Sequence, residues 1–405
     1  MTDKTRCAVV GGGPAGMMLG LILARSGVEV TVLEKHADFL RDFRGDTVHP
    51  STLRLLDELG LFGRFDTLPH SRLETMEFEA DGRAVTVVDF RRLRQPHPYV
   101  AMVPQWDFLD LIADAACAEA TFTLRMQTEV TSLVRDDARI TGVRYTGPDG
   151  DGELLADLTV GCDGRWSVVR REAGLVPREY PVPFDVWWFR VPRTVAGEYS
   201  LIPKTAPGRL LLMIPRQGYF QIAYLIPKGS DAHLRERGLD AFRSDVSQMV
   251  PGIDLGAVTS WDDVKHLDVH LNHLARWYCN GLLCIGDAAH AMSPAGGVGI
   301  NVAIQDAVAA ARLLAGPLRE HRLVNADLAA VQRRRRLPTA VTQAFQRFMH
   351  RQVLAPVLAG GELRPPDGVL RLLERLPWLA GIPAHLIGSG VRPERIPEPA
   401  RRTSS

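Results

Sequence analysis

A short segment near the start of the chain, "VVGGGPAG", constrains its fold more than any other stretch. Gly11 permits a tight turn after an apolar strand, and Gly13 lets a pyrophosphate touch the backbone. Gly16 lets the following helix lie close to the strand. Pro14 and Ala15 begin that helix, whose N terminus favours an anion. The segment therefore predicts a strand, a turn and a helix that together bind a dinucleotide.

The next apolar segment, "VEVTVLEK", predicts a second strand that ends at Glu34 and Lys35. A strand, a helix and a strand in this order form a parallel, right-handed unit, which indicates the α/β class. The carboxylate of Glu34 is placed to accept hydrogen bonds from a ribose diol, so NADP is disfavoured here while NAD and FAD both fit. The alternative is a glycine-rich structural turn with Glu34 merely solvated.

Two later motifs also follow predicted strands. In "VGCDGRWSVVRREAG" the pair Asp163 and Gly164 comes directly after a strand, although such a pair alone is a common turn. In "LLCIGD" a buried strand ends at Gly286 and Asp287. The Asp287 carboxylate is placed to bind the hydroxyl groups of a polyol.

The loop that follows, "SPAGGVGIN", is apolar and rich in small residues. Gly296, Gly297 and Gly299 leave the bare backbone that a flat heterocycle requires. The amides from Gly297 through Ile300 to Asn301 begin a helix, where they can stabilise negative charge that develops on a planar ring. A flexible exposed loop would explain neither the apolar character nor the regular helix after it. We therefore expect a cofactor ring against this loop.

The chain of 405 residues is long for a single core, which favours two interlocked domains. Its net charge of +1 gives no reason to expect nucleic acid as a partner. No signal peptide and no apolar stretch long enough to span a bilayer is visible in the sequence. The five scattered cysteines form no metal pattern and indicate buried thiols. The sequence thus predicts a cytoplasmic protein with no metal site and no stable insertion into membranes.

The pattern along the chain predicts a discontinuous domain. Residues 1–180 and 283–340 are expected to form the two parts of the nucleotide-binding domain. Between them, residues 181–282 are predicted to form antiparallel strands with proline and glycine breaks, joined by strands from 70–105. Residues 341–405 are expected to form C-terminal helices and a loose tail.

Taken in order, "GGGPAG" with Glu34, "CDGRWSVVR" and "GDAAHAMSPAGGVGINVAIQDA" resemble the single-component FAD-dependent aromatic hydroxylases, the p-hydroxybenzoate hydroxylase class. The resemblance covers about residues 5 to 315. It implies a Rossmann-like FAD-binding domain with an inserted, mainly antiparallel β-sheet substrate domain and C-terminal helices. It also implies FAD as cofactor, NADPH or NADH as transient reductant, and O2. One oxygen atom would pass through a flavin hydroperoxide to a small aromatic or polycyclic substrate, most often as a hydroxyl group.

The resemblance also implies roles for individual residues. Arg44 matches an arginine near the FAD phosphates, and Gln105 matches a position near the flavin side chain. Asp287 matches the aspartate that binds the ribityl chain. Pro294 and Gly297 match positions beside the reactive ring. The Asp163 and Gly164 pair is similar to a segment that serves both FAD and NAD(P)H.

Apolar residues on the predicted antiparallel strands are the candidates for the wall of the substrate site. They are Trp187, Phe189, Met213, Tyr219, Ile222 and Tyr224. A dry wall suits the chemistry because water diverts the flavin hydroperoxide to hydrogen peroxide. The alternative is that these side chains belong to a core that faces away from the site.

Several alternatives stay open at this point. The same scaffold supports epoxidation, Baeyer–Villiger insertion, halogenation and reduction, or a flavin-binding redox sensor without catalysis. The segment "VWWFRVP" lacks the glycine and the second tryptophan of the flavin halogenases, which favours a core strand. His290 is expected to be a structural hydrogen-bonding group, and the run Arg333–Arg336 a solvated helix face. The sequence leaves open the substrate, the choice between NADH and NADPH, and a monomer or a homodimer.

Overall fold

The computed structural model describes residues 2–40, 47–80, 83–193, 201, 203–216, 218–361 and 367–402 of the chain. The strands are β1 Thr2–Val10, β2 Val30–Leu33, β3 Thr47–Val48, β4 Ser71–Leu73, β5 Thr75–Ala80, β6 Arg83–Asp89, β7 Val100–Met102, β8 Phe122–Arg125, β9 Glu129–Asp136, β10 Arg139–Gly147, β11 Gly150–Gly161, β12 Pro177–Glu179, β13 Phe184–Pro192, β14 Pro203–Ala206, β15 Arg209–Pro215, β16 Tyr219–Pro227, β17 Lys265–Leu267, β18 Asn272–Leu274, β19 Tyr278–Cys279 and β20 Leu282–Cys284. The α-helices are α1 Pro14–Arg25, α2 Pro50–Glu58, α3 Phe62–Asp66, α4 Gln105–Cys117, α5 Val168–Glu172, α6 Asp231–Glu236, α7 Leu239–Met249, α8 Gly299–Arg319, α9 Asn325–Met349, α10 Ala355–Leu358, α11 Asp367–Arg375 and α12 Gly381–Gly388.

A parallel sheet in the order β20, β11, β1, β2, β8 forms the centre of the molecule. Strands β2 and β20 and the last four residues of β1 and of β11 are buried, as is usual for parallel strands that helices cover. Val9 pairs with Val160 on one side and with Val32 on the other, and all three side chains are buried. The late strand β20 completes this sheet, so the chain returns to its first sheet after residue 280. The predicted α/β class with a parallel sheet is confirmed.

Strands β9, β10 and β11 form an antiparallel meander on the same sheet. Gly147 pairs with Gly150 at the tip of the β10–β11 hairpin, as the segment "GPDGDG" predicts. The distal end of β11 leaves the meander and pairs with β1 and β20 in the parallel sheet. This long strand therefore carries the chain from the hairpin to the Asp163 turn.

A second, fully antiparallel sheet in the order β14, β15, β16, β13, β17 lies in the segment between β11 and β20. One face of this sheet packs on α7, where Phe242 and Val246 are buried. The other face turns toward the loop after β20 and toward the C-terminal helices. The helices α6 and α7 are not anticipated by the strand-like pattern of this segment.

Helix α8 crosses the core and packs on α1 and α9. Within the described residues, one stretch, Ala295–Arg319, has the length and apolar composition of a membrane-crossing helix. Of its apolar window, 78% is buried inside the protein. This burial is what the core helix of a folded domain shows.

The last described segment is less loose than the sequence suggests. Glu394 is fully buried, and its carboxylate pairs with Arg334 at 2.6 Å and with Arg312 at 3.2 Å. Ile396 and Ala400 are buried in the main core. The expectation of a loose tail is therefore wrong for residues 394–400. The expectation of buried cysteines is likewise wrong for Cys117, which is exposed.

Candidate functional site

The turn between β1 and α1 has two kinds of glycine. Gly11 has a φ of +101°, and a Cβ there would lie 2.6 Å from the carbonyl oxygen of Cys162. A Cβ at Gly16 would lie 2.0 Å from the carbonyl oxygen of Gly11. At Gly13, by contrast, no atom of the described residues, its chain neighbours aside, lies within 4 Å of the position of a Cβ. Gly11 and Gly16 are therefore required for packing, while Gly13 leaves open space at the N terminus of α1, where an anion is favoured.

Glu34 is fixed at the rim of this open space. Its Oε2 accepts a hydrogen bond from the amide of Gly12 at 2.8 Å, and its Oε1 accepts one from the amide of His36 at 3.0 Å. Glu34 and Lys35 both line the large cavity described below, together with Gly11, Gly13, Pro14 and Ala15. The position of Glu34 is compatible with a ribose partner, which stays a prediction.

The second glycine-rich loop faces the same cavity from the other side. Pro294, Gly297, Gly299 and Ile300 all line it. Gly297 has a φ of +62°, and a Cβ there would lie 2.6 Å from Oγ1 of Thr47. The first amides of α8 have no acceptor within the helix, which leaves them available to a ligand. The turn at Gly286, which precedes this loop, adjoins the start of α1, because a Cβ at Gly286 would lie 3.4 Å from that of Ala15.

Three residues predicted to contact the cofactor lie outside the cavity wall: Gly16, Gly286 and Asn301. The amide of Gly286 donates to Oδ2 of Asp306 at 3.2 Å. The side chain of Asn301 accepts hydrogen bonds from the amide of His49 and the hydroxyl of Thr52, at 2.9 and 2.7 Å. Gly16 is required for packing, and the amide of Gly286 and the side chain of Asn301 are hydrogen-bonded within the protein. The contacts of these three residues with the cofactor stay predictions.

Asp287 lines the cavity and is accompanied by a cation that the sequence did not single out. Oδ2 of Asp287 lies 3.6 Å from Nη2 of Arg165, and the Asp287 side chain is 29% exposed. Nη1 of Arg165 donates to the carbonyl oxygen of Asp268 at 2.9 Å. The Asp287 carboxylate is therefore accessible from the cavity and held near one guanidinium.

The Asp163 turn is held together by its own side chains. Oδ1 of Asp163 accepts from the Ser167 hydroxyl at 2.6 Å, and Oδ2 accepts from the amide of Val169 at 3.2 Å. Burial raises the pKa of Asp163 above its ordinary value, against the effect of these hydrogen bonds. Arg170 donates to the carbonyl oxygens of Ala288 and Arg165, which ties this turn to the Asp287 turn. Asp163 and Gly164 line the cavity, and their contact with the cofactor stays a prediction.

Two further predicted contacts have different outcomes. Gln105 is the first residue of α4 and lines the cavity. Arg44 lies outside the residues that the structure describes, and its contact with the FAD phosphates stays a prediction.

The cavity that joins these segments has a volume of about 1690 Å³. Beyond the two glycine loops it opens into a chamber with an apolar wall. Alternate residues of β13, β15 and β16 supply one side of that chamber: Phe184, Val186, Trp188, Leu210, Leu212, Ile214, Ala223 and Leu225. The C-terminal helices supply the other side, with Leu354, Leu372, Leu379, Ile382 and Ile387.

The predicted substrate wall is corrected by this alternation. Trp187, Phe189, Ile222 and Tyr224 are buried on the opposite face of the sheet against Phe242, and Met213 packs in the same cluster. Tyr219 lies beside Arg190, whose guanidinium carbon is 4.9 Å from the ring centre, and is not part of the cavity wall. For the other five, the residues one step along each strand line the chamber instead, because successive side chains in a strand point to opposite faces.

A buried ion-pair network stabilises the turn that contains Gly286 and His290 and precedes the second glycine-rich loop. Nε2 of His290 lies 2.5 Å from Oδ2 of Asp306, and Nε of Arg335 donates to Oδ1 at 2.9 Å. Burial alone would raise the pKa of Asp306, but its partners His290 and Arg335 hold that pKa below the ordinary value. His290 is thus a structural group, as expected. The expectation of a solvated face is wrong at Arg335, which is only 2% exposed.

The described residues fit FAD. Gly13 provides the backbone cradle for a pyrophosphate, Asp287 provides an accessible carboxylate, and Gly297 provides bare backbone beside a planar group. Sequence reasoning did not find the C-terminal side of the chamber, because helix amphipathicity does not reveal which apolar face closes a cavity.

Comparisons with known proteins agree with this architecture. Residues 4–345 match the family described as FAD binding domain. The chain is 35% identical over 380 residues to 6-methylpretetramide 4-monooxygenase from Streptomyces rimosus, covering 90% of this chain and 88% of that enzyme. It is 30% identical over 315 residues to 12-dehydrotetracycline 5-monooxygenase/anhydrotetracycline 6-monooxygenase from Streptomyces rimosus subsp. rimosus. That match covers 74% of this chain and 60% of the longer relative.

The fold is also that of a solved structure. PqsL, a probable FAD-dependent monooxygenase from Pseudomonas aeruginosa, superimposes with a TM-score of 0.73 at 22% identity, over 88% of this chain and 97% of PqsL. At this identity the likeness concerns the fold alone. The family match and the sequence relatives carry the assignment further. The chain therefore belongs to the FAD-dependent aromatic hydroxylases, and the protein is an oxidoreductase of the monooxygenase type with FAD as its cofactor.

Proposed function

We propose that this protein hydroxylates a polycyclic, phenol-like aromatic compound, with NAD(P)H as the electron donor and O2 as the source of the oxygen atom. The observation that carries the proposal is the continuous cavity of about 1690 Å³ that runs from the two glycine loops into an apolar chamber. Pockets for one small molecule commonly enclose about 300–1,000 Å³. The larger volume suits a cofactor and a substrate of several fused rings side by side.

The chamber wall supports a flat apolar substrate with a few polar atoms. Its strand side is built from aliphatic and aromatic residues, among them Phe184, Leu210 and Leu225. Nε1 of Trp188, a buried donor in this wall, has no hydrogen-bond partner among the described residues. A buried unpaired donor costs about 1–3 kcal/mol, which a substrate oxygen would recover. Arg216, 4% exposed, adds a cation to the same wall.

Water exclusion is the main task of the protein around the reacting atoms. FAD, when bound, supplies the activation of O2, while the chain supplies position and a dry environment. His49 lines the cavity, and burial lowers its pKa to about 4, so its ring stays neutral at physiological pH. Nδ1 of His49 lies 2.7 Å from the carbonyl oxygen of Ile387, which joins the loop side of the cavity to the C-terminal helices.

The reductant is proposed to bind transiently at the same cavity. The sequence contains no second glycine fingerprint of the "GGGPAG" type for a separate nicotinamide domain. The substrates in the names of the two curated relatives, 6-methylpretetramide and tetracycline precursors, support a polycyclic substrate for this chain as well.

The direct test is to measure NADH and NADPH oxidation by the FAD-loaded protein with phenols of one to four fused rings. We expect stimulation to rise with ring number, with one atom of ¹⁸O from labelled O2 in the product. Peroxide is measured in parallel to separate hydroxylation from wasted turnover. Equal stimulation by one-ring and four-ring phenols would contradict the polycyclic assignment, and product without ¹⁸O would contradict hydroxylation.

Two neighbouring tryptophans give a matched control for the chamber. Trp188→Phe removes the donor in the cavity wall, and we expect KM for the substrate to rise about tenfold. Trp187→Phe changes the opposite face of the same strand, where Nε1 donates to Asp231 at 2.6 Å. It should lower the free energy of unfolding without changing KM. The same KM for both variants would mean that the chamber is not the substrate site.

A further inference from the structure

Side chains on one face of α9 and on the turn that follows it make hydrogen bonds to the second glycine loop, Ser293–Gly297. The side-chain amide of Gln346 donates to the carbonyl oxygens of Ser293 and Ala295, at 2.8 and 2.9 Å. Oε1 of Gln346 accepts from the amide of Ser293 at 3.2 Å. One helical turn later, Nε2 of His350 lies 2.8 Å from Oγ of Ser293. Ser293 is only 1% exposed to bulk solvent, yet it lines the cavity.

The environment of His350 determines which of its nitrogens carries the proton. The ring is 2% exposed and meets Phe184 edge-on, and burial lowers the pKa of His350 to about 4, so the ring is neutral. Nδ1 of His350 has no hydrogen-bond partner among the described residues. A buried N–H without an acceptor is rarer and more costly than a lone pair without a donor. The favoured tautomer therefore has its hydrogen on Nε2, which donates to Ser293.

This tautomer fixes what the hydroxyl of Ser293 can do. A serine hydroxyl accepts two hydrogen bonds and donates one. Oγ of Ser293 accepts from His350 and from the amide of Ala295, the latter at 3.1 Å. Its own hydrogen has no acceptor in the described part of the chain, and Ser293 is one of the residues that line the cavity. The hydroxyl hydrogen is therefore left for a ligand.

We propose that Ser293 donates a hydrogen bond to the flavin ring, and that His350 is the positioning residue that holds the hydroxyl in this role. The proposal rests on the bare backbone of Gly296 and Gly297 as the place of the ring. The isoalloxazine ring gains negative charge on reduction, so a donor stabilises the reduced form more than the oxidised form. A hydrogen bond to a charged acceptor favours the reduced form by about tenfold or more.

The first test compares the dissociation constants of oxidised and reduced FAD, obtained from titration and from the midpoint potential of the bound flavin. Ser293→Ala should weaken binding of reduced FAD relative to oxidised FAD by about tenfold. Ser293→Thr keeps the hydroxyl and should restore the ratio. Ser26→Ala, a change at a buried serine outside the cavity wall, is the control. A ratio in FAD-loaded Ser293→Ala equal to that of the unaltered protein would overturn the proposal.

The second test does not depend on variants that keep FAD. Spectra of ¹⁵N-histidine-labelled protein report the tautomer of each ring, and the His350 signal is the one absent from His350→Gln. We expect a neutral ring protonated at Nε2. Protonation at Nδ1 would mean that Ser293 donates to His350 instead, which overturns the assignment.

His350→Gln retains a donor toward Ser293, so its ratio of FAD affinities should stay near that of the unaltered protein.

Discussion

The two glycine-rich segments of the site are positioned by different kinds of contact. The turn at Gly11–Gly16 requires glycine for close packing of backbone, because a Cβ at Gly16 would lie 2.0 Å from the carbonyl oxygen of Gly11 and a Cβ at Gly11 would lie 2.6 Å from that of Cys162. The loop at Ser293–Gly297 is held from outside, by Gln346 and His350 on one side and by Thr47 on the other. The first segment is therefore restricted by close contacts between backbone atoms, one within the turn and one with Cys162, whereas the second depends on side chains about 50 and 250 positions away.

This difference has a functional reading. A turn whose glycines pack backbone against backbone suits the constant part of a dinucleotide. A loop fixed by distant side chains can be tuned without changing its own sequence, since Gln346, His350 and Thr47 set its position and its donors. The comparison leads to four predictions.

The largest effect on stability should come from a change in the turn at Gly11–Gly16. Gly16→Val places side-chain atoms on the carbonyl of Gly11 and should destabilise the fold by more than about 4 kcal/mol. Gly13→Val meets open space, so it should leave the apoprotein folded but exclude the pyrophosphate. Thermal unfolding and flavin content measure the two effects separately. A yellow, stable Gly13→Val protein would contradict the proposed pyrophosphate position.

The externally held loop should respond to a change far from it in sequence. Gln346→Leu removes three hydrogen bonds and leaves buried backbone groups of Ser293 and Ala295 unpaired, which should cost about 3 kcal/mol. FAD should still bind, but a larger fraction of the electrons from NAD(P)H should end in hydrogen peroxide. Gln248→Leu, on the exposed side of α7, is the matched control. Unchanged peroxide release and unchanged stability in Gln346→Leu would mean that the loop holds itself.

The histidines that hold the second loop should make its stability depend on pH. Burial lowers the pKa values of His49 and His350 from the ordinary 6.5 to about 4, so both rings bind a proton more readily in the unfolded chain. Their contribution is fully present above pH 6.5 and is lost as the pH falls toward 4. Relative to pH 7, each ring should lower the free energy of unfolding by about 2 kcal/mol at pH 5. His350→Gln should flatten the stability profile between pH 7 and 5, whereas the exposed His233→Gln should not.

The smallest effect should come from a contact that belongs to neither loop. Asp287→Ala should weaken FAD binding about tenfold through loss of the carboxylate, with little change in the stability of the apoprotein. Asp287→Asn keeps the shape and tests the charge. Fluorescence titration of the apoprotein with FAD gives the affinity. FAD affinity equal to that of the unaltered protein in both variants would leave Asp287 without a role in the site.

The sequence was sufficient for features that arise from local patterns. The turn before α1, the β10–β11 hairpin and the return of the chain to its first sheet at β20 all follow from short motifs and apolar runs. It was not sufficient for the face that each antiparallel strand presents to the cavity. Trp187 and Trp188 are adjacent and both apolar, so alternation predicts opposite faces without saying which face is which.

The sequence by itself determined the α/β architecture and the FAD-binding family, and it predicted most of the backbone that lines the cavity, because glycine spacing and the apolar runs of strands are local patterns. Only the tertiary structure decided that Trp188 rather than Trp187 lines the chamber, that Arg335 is buried beside Asp306, and that α9 holds the second loop. These outcomes depend on which elements pack together across long sequence distances. Hydrophobic burial is non-directional, so apolar composition alone does not select the partner.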